Sequence, residues 1–276
     1  MARLQTSAGA LDRSEKKGID RMTSSAWPAR LWIVRHGQSA GNVARDHAHA
    51  NGLGEIDLDL RDVDVPLSPL GHEQSRALGV WFAAMPTDER PTVVLSSPYV
   101  RARQTAEAIA AAGGLAGGAS GEPEALCVDE RLREREFGVL DRLTSRGIEA
   151  RFPDQAEARR RLGKFYHRPP GGESWCDVIL RLRAALDTLS LHHRGERVLV
   201  VGHQVVVLCL RYLLEGLTEA EVLAIDAEGD VANCGVTTYA AGPGRGMTLQ
   251  GYNFVAPLER MGAPLTSAPD VAVGAR

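Results

Sequence analysis

The sequence predicts an α/β fold, a three-layer α/β/α sandwich with a mostly parallel central sheet. Two observations carry that expectation. Short continuous apolar runs, LWIV at 31–34, TVVL at 92–95 and VLVV at 198–201, read as strands buried on both faces. Between them lie longer segments with apolar residues at helical spacing, such as Val178, Leu182, Ala185 and Leu189. Strand and helix signals alternate, which is the pattern of parallel strands joined by crossover helices.

Taken in order, residues 1–29 are polar and small, without a period, and are expected to be a flexible leader. A single domain then spans 30–260, with 261–276 a loose tail. The first strand ends in Arg35-His36-Gly37, where glycine permits an abrupt turn, and the polar residues after it open a helix. Residues 43–66 (VARDHAHANGLGEIDLDLRDVDVP) read as an acidic surface insertion, long enough that a functional role is expected. Ser68-Pro69 suits a helix start, with serine as N-cap and proline in the first turn, and this helix runs to about residue 84. After TVVL, Ser96-Ser97-Pro98 leads to a helix over 99–112. A Gly/Ala/Ser connection covers 113–121 and a third strand 125–128. Residues 139–170 form a second insertion, helical but broken at Pro153, Pro169 and Pro170. A helix over 173–192 precedes VLVV, another runs from His203 to about residue 214, and 236–240 is the final strand. Beyond Gly242 no pattern is legible.

Composition excludes whole classes of function. With 276 residues, 44% apolar and 24% charged, the chain is an ordinary globular one rather than disordered, collagen-like or coiled-coil. Lys+Arg number 32 against 35 Asp+Glu, so there is no global attraction to nucleic acid or to an anionic membrane. Aromatic residues are only 5%, too few for a base-stacking platform. The apolar stretch at 198–214 is interrupted by His203, Gln204 and Arg211, which argues against a membrane span. No apolar core of a signal peptide is present near the start, so a cytoplasmic, reduced compartment is expected. The four cysteines, Cys127, Cys176, Cys209 and Cys234, are widely spaced and suggest neither a zinc site nor a disulfide framework.

The chemistry-bearing groups fall just after strands or at helix starts: Arg35, His36, Arg101 and His203. In open α/β sheets ligands bind beyond the carboxyl ends of the strands, so these groups are expected to converge. Arginine matches phosphate oxygens bidentately, and a neutral imidazole is a nucleophile. Together they suit capture of a phosphoryl group.

At this point a family resemblance enters. LWIVRHGQSAGN at 31–42 resembles the Arg-His-Gly signature of the histidine phosphatase superfamily, which includes cofactor-dependent phosphoglycerate mutases. The likeness continues in order with LSPLG at 67–71, SSPYVRARQTA at 96–106, LREREFG at 132–138, GGES at 171–174 and VVGHQ at 200–204. The resemblance implies a phosphoglycerate mutase-like fold with His36 as the nucleophile that becomes phosphohistidine. It implies that Arg35, Arg101 and His203 hold the phosphoryl oxygens, and that Asn42 contacts phosphate or orients the nucleophile. Glu134 matches the acid that protonates the leaving oxygen and then activates water, although Glu130 and Glu136 lie close by. Glu173 matches the Gly-Glu-Ser turn, and Gln38 and Ser39 are candidate phosphate contacts. Charge comes from arginine and histidine, so no metal or other cofactor is implied.

Plainer roles stand beside these. Ser39 suits a helix cap as well as a phosphate contact. His47, His49 and His72 have no carboxylate at ligand spacing. Arg159-Arg160-Arg161 reads as a solvated helix face that could also line a pocket mouth.

The expected function is hydrolysis of a small phosphorylated metabolite by a phosphomonoesterase. Mutase-type transfer is the alternative, and a binding module that only recognises phosphate is a more distant one. LREREFG departs from the LNERHYG pattern associated with true mutases, and GGES with VVGHQ resembles the fructose-2,6-bisphosphatase branch. Self-association is left open.

Overall fold

The computed structural model describes residues 27–115, 126–242 and 246–267. Six strands, β1 (Arg30–Arg35), β2 (Val93–Ser96), β3 (Cys127–Val128), β4 (Arg197–Gly202), β5 (Val236–Ala241) and β6 (Met247–Phe254), form one sheet in the order β3-β2-β4-β1-β5-β6. The pairings β3/β2, β2/β4 and β4/β1 are parallel, while β1/β5 and β5/β6 are antiparallel. The sheet is therefore mostly parallel, with an antiparallel edge.

The helices are α1 (Ala40–Ala50), α2 (Pro69–Ala83), α3 (Val100–Gly113), α4 (Ser145–Arg151), α5 (Pro153–Tyr166), α6 (Trp175–His192), α7 (Gln204–Glu215), α8 (Glu219–Glu228) and α9 (Ala256–Arg260). Their starts follow local chemistry. Ser68 caps α2 by accepting from the Gly71 N–H, with Pro69 at the first position. Ser39 with Asn42, and Ser174 with Asp177, form reciprocal capping boxes on α1 and α6.

Alternate residues of each central strand enter opposite layers, which is why the strands read as unbroken apolar runs. On one face Leu31, Ile33, Val198 and Val200 pack with Trp175, Val178 and Leu182 of α6 and with Val206 and Leu210 of α7. On the other, Trp32, Val34, Leu199 and Val201 meet Leu78 and Phe82 of α2 and Ala106 and Ile109 of α3. Each fully buried Val or Leu side chain contributes about 1.5–3 kcal/mol relative to exposure.

Several expectations are corrected. The insertion at 43–66 is not loop throughout, because α1 carries the chain helically to Ala50 before the excursion begins. The third strand has two residues, 127–128, and the preceding connection at 116–125 lies outside the described residues. Residues beyond 242 are structured: β6 pairs with β5, and α9 follows it. Helix α8 was not anticipated either, and Val222 is its only buried residue.

The ends of the described chain are held as well. Trp27 O accepts from Gly195 N–H, and Ala29 N–H donates to Glu196 O, so the expected flexible leader does not reach residue 29. Its earlier part, 1–26, lies outside the described residues. At the other end Thr266 and Pro264 are hydrogen-bonded to the domain, so 261–267 is not a loose tail. Among the described residues no helix is long and apolar enough to cross a membrane.

Candidate active site

Register brings the site together. Arg35 of β1 pairs with Gly202 of β4, and Ser96 of β2 pairs with Val201. The residues that follow, His36, Ser97 and His203, therefore emerge side by side at the carboxyl end of the parallel strands. The rings of His36 and His203 have centroids 5.2 Å apart.

The turn after His36 is sterically fixed. A Cβ on Gly37 would lie 2.6 Å from Gly71 O, and one on Gly71 would lie 2.0 Å from Gln38 O. Only glycine lets the start of α2 pack against this turn. Gly37 N–H donates to Thr105 Oγ1 on α3 at 3.0 Å, and Asn233 Nδ2 donates to His36 O at 3.0 Å.

The protonation pattern of His36 follows from its neighbours. Nδ1 lies 2.7 Å from Gly37 O, a group that only accepts, so Nδ1 carries the proton. Arg101 Nε–H, which only donates, points to Nε2 at 3.3 Å. Nε2 therefore carries the lone pair. Burial, reinforced by the Arg101 and Arg35 charges, holds the imidazole pKa well below its ordinary value, so the ring is neutral. His203, the N-cap of α7, is held low by burial first and then by Arg101 and His36. Its Nε2 lies 2.7 Å from Ser97 Oγ, and its Nδ1 is buried with no hydrogen-bond partner.

Three arginines surround this pair. Arg35 is buried and donates to Val231 O. Burial pulls its pKa down to about 10 against the opposing pull of Glu134 and Asp230. Arg101, in the first turn of α3, lies with its guanidinium 4.8 Å from the Tyr99 ring centroid. Arg45, one turn beyond Asn42 on α1, lines the same cavity. That cavity holds about 80 Å³, and Arg35, His36, Ser39, Asn42, Arg101 and Glu134 are among its lining residues.

The structure thus brings together His36, Arg35, Arg101, Asn42, Ser39 and Glu134, with His203 against His36. Asn42 Oδ1 accepts from Ser39 and from Asn233. Glu134 is half-buried and its Oε1 accepts from Arg135 N–H at 2.9 Å.

Two expected contacts lie elsewhere. Gln38 does not line the cavity: its N–H donates to Gln74 Oε1 and its Oε1 accepts from Ser68 Oγ, which pins the start of α2. Glu173 does not line it either. It accepts from Arg181 Nε at 2.9 Å, from Arg133 NH2 at 2.9 Å and from Glu136 N–H at 3.2 Å. Arg181 in turn donates to the carbonyl oxygens of Arg131 and Glu134. Burial opposes ionisation of Glu173, but the Arg181 contacts, the Glu136 N–H and Arg133 outweigh it and hold the carboxyl below its ordinary value. Glu173 is thus a clamp on the segment that carries Glu134.

Other residues at the site gave no separable signal in the sequence. Ser97, Asn233 and Asp62 reach it through side-chain hydrogen bonds across the fold, and Tyr99 through its ring, which lies against His203 and Arg101. Arg142, at φ +57°, lines the cavity and donates to Leu58 O. Of the arginine run, Arg160 and Arg161 pair with Glu157 on an exposed face, while Arg159 is buried. Among the described residues no cluster of three or more His, Cys, Asp or Glu could hold a metal ion.

Fold and site define an enzyme of the phosphoryl-transfer class. The family described as the histidine phosphatase superfamily (branch 1) matches residues 31–254, and the chain belongs to it. It is 30% identical over 190 residues to a probable phosphoglycerate mutase, GpmB, of Yersinia pestis (strain Pestoides F), covering 68% of this chain and 75% of that one. Among solved structures it resembles a mycobacterial glucosyl-3-phosphoglycerate phosphatase in complex with inorganic phosphate. There the identity is 26% and the TM-score 0.60, covering 83% of this chain and 99% of that one. The alpha-ribazole phosphatase of Shigella flexneri shares the fold, with 21% identity and a TM-score of 0.64 over 82% of this chain and 96% of that one.

Proposed function

We propose that the protein is a phosphomonoesterase that works through a phosphohistidine on His36 and acts on a small phosphorylated metabolite. The observation that carries this reading is the forced tautomer: a neutral imidazole presents an unprotonated Nε2, approached by Arg101, among buried guanidinium groups. Arg35, Arg101, Asn42 and His203 hold the phosphoryl oxygens, and the orphaned Nδ1 of His203 gains a partner when one of them binds.

In the first step the Nε2 lone pair attacks phosphorus. The N–P bond forms as the P–O bond to the alcohol breaks, and the Glu134 carboxylic acid gives its proton to the departing oxygen. In the second, the Glu134 carboxylate takes a proton from water, whose oxygen attacks phosphorus. The P–N bond then breaks, its electron pair returns to Nε2, and inorganic phosphate leaves. The protein supplies the charge neutralisation from its own cations.

A mutase reading has support from the named Yersinia relative. Against it stands the outer side of the cavity, where Asp62, Glu136 and Asp141 face the region beyond the phosphoryl pocket. Asp141 is pushed up by burial and then by the Asp62 charge, against the opposing pull of Arg142. A second anionic group on the substrate would meet these carboxylates there, with Arg61 and Arg142 of the same lining offsetting part of the repulsion.

The test is phosphate release from a panel of phosphomonoesters without added metal, by the native protein and His36→Ala, with a parallel 3-phosphoglycerate mutase assay. Release that disappears in the variant supports the proposal. Mutase turnover with little release replaces it with the second reading, and no turnover in either assay, with phosphate binding intact, overturns both.

A further inference from the structure

Arg101 is engaged by two partners at once. Its Nε–H points to His36, while NH1 donates to Asp62 O at 2.6 Å and NH2 to Asp62 Oδ2 at 3.1 Å. The Asp62 carboxylate also lies 3.0 Å from NH1. The outward donors of the guanidinium are therefore shared between the backbone carbonyl of Asp62, on NH1, and its carboxylate, which reaches both NH1 and NH2.

Asp62 is not the only support of Arg101. The Arg101 side chain is 6% exposed, its guanidinium lies over the Tyr99 ring and reaches His36, whereas the Asp62 side chain is 39% exposed. Asp62 sits on a single 3-10 turn (Asp62–Asp64) in the acidic insertion. Among the described residues of 59–65, the hydrogen bonds to the rest of the chain run through Asp62. The others, Asp64 N–H to Arg61 O, Val65 N–H to Asp62 O and Arg61 Nε to Asp64, are internal to the turn.

Asp62 also stands between two spaces. The inner cavity of about 80 Å³ is far below the roughly 300 Å³ at which small-molecule sites begin. An outer cavity of about 320 Å³ adjoins it, and Asp62, Asp141 and Arg142 line both.

We infer that Asp62 is a displaceable internal competitor for the phosphoryl site: its carboxylate holds the Arg101 donors until a phosphoryl dianion takes them. This rests on the reading of Arg101 as a phosphoryl-binding residue. Displacement moves the turn outward, joins the two cavities and admits the alcohol portion of the substrate. When inorganic phosphate forms, the returning carboxylate competes with it for Arg101 and speeds its release.

The experiment is direct binding of inorganic phosphate, by calorimetry, to the native protein, Asp62→Ala, Asp141→Asn and Arg101→Ala, each checked for folding by circular dichroism. Asp62→Ala is expected to bind phosphate roughly tenfold more tightly, the scale of one charge-assisted hydrogen bond no longer exchanged. Asp141→Asn removes a carboxylate from the same lining without touching Arg101, and should change affinity less than about twofold if contact rather than general charge is responsible. Product inhibition by phosphate should deepen in Asp62→Ala in parallel. Unchanged or weaker binding in Asp62→Ala, or an equal gain in Asp141→Asn, overturns the inference while leaving the site reading intact. Undiminished binding in Arg101→Ala overturns the site reading and the inference with it.

Discussion

Arg35 and Gly202 are register partners at the ends of adjacent parallel strands, and that pairing sets the 5.2 Å separation of the His36 and His203 rings. Each ring follows its strand directly, so neither depends on a flexible loop for its position. Both are buried beside Arg101, and both are held neutral by that burial and its charge.

A pH dependence of stability follows from the two rings. Their folded pKa values lie below the unfolded value of about 6.5, so as pH falls through that value the unfolded chain binds protons that the native one does not. Stability should decline on acidification, with a slope approaching about 1.4 kcal/mol per pH unit for each ring. Urea midpoints of the native protein and His36→Gln at about pH 7.5 and about pH 5.5 check this. The variant should lose less stability between the two conditions, and an equal loss in both proteins defeats the claim.

Arg101→Ala removes a cation aimed at Nε2 of His36, the proposed nucleophile. On the scale of losing one preorganised donor, kcat/KM should fall by about 10²–10³, or roughly 3 kcal/mol of transition-state stabilisation. Arg103, exposed on the same helix, serves as the control and should leave turnover within about twofold when changed to Ala. Near-normal turnover in Arg101→Ala would sink the assignment.

Glu173 acts on Glu134 from behind, through Arg181. Glu173→Gln leaves Arg181 without its carboxylate in a site only 10–13% exposed and should cost about 2–3 kcal/mol of stability. The native carboxyl titrates below its unfolded value, so its contribution is present above about pH 4.3 and disappears as pH falls through the folded pKa. Steady-state kinetics should show kcat falling more than KM rises, with a displaced pH profile. A loss of stability with kinetics unchanged would reduce Glu173 to a purely structural role.

Gly71→Ala tests the packing under the turn that follows His36. Its new Cβ would need the backbone oxygen of Gln38, 2.0 Å away, to move. A loss of about 3 kcal/mol in urea unfolding is expected, with lower phosphate release at temperatures where the variant remains folded.

The parts of the fold legible in the sequence are those whose signal is local. The strands at 31–34, 92–95 and 198–201 announce themselves because both faces are buried, and Ser68-Pro69 marks a helix start by its own chemistry. Strand β6 escapes because it is a half-exposed edge with a register shift and Gly251, so no apolar run forms. Helix α8 escapes because only Val222 is fully buried, while Leu223 and Ile225 are only partly buried against the core. His36, Arg35 and Arg101 are readable from ordered motifs. The hold of Glu173 on Arg181, of Gln38 on Ser68 and of Asp62 on Arg101 is not, since each depends on which distant segments the fold sets side by side.

Thr266 Oγ1 donates to Asn233 Oδ1, and Asn233 supports the carbonyl of His36, so a residue 230 positions downstream completes the back of the turn that carries His36. During synthesis the two motif histidines leave the ribosome long before that residue does. The candidate site is therefore among the last features to be finished, and a nascent chain that has already built its central parallel strands still lacks the support that seats His36.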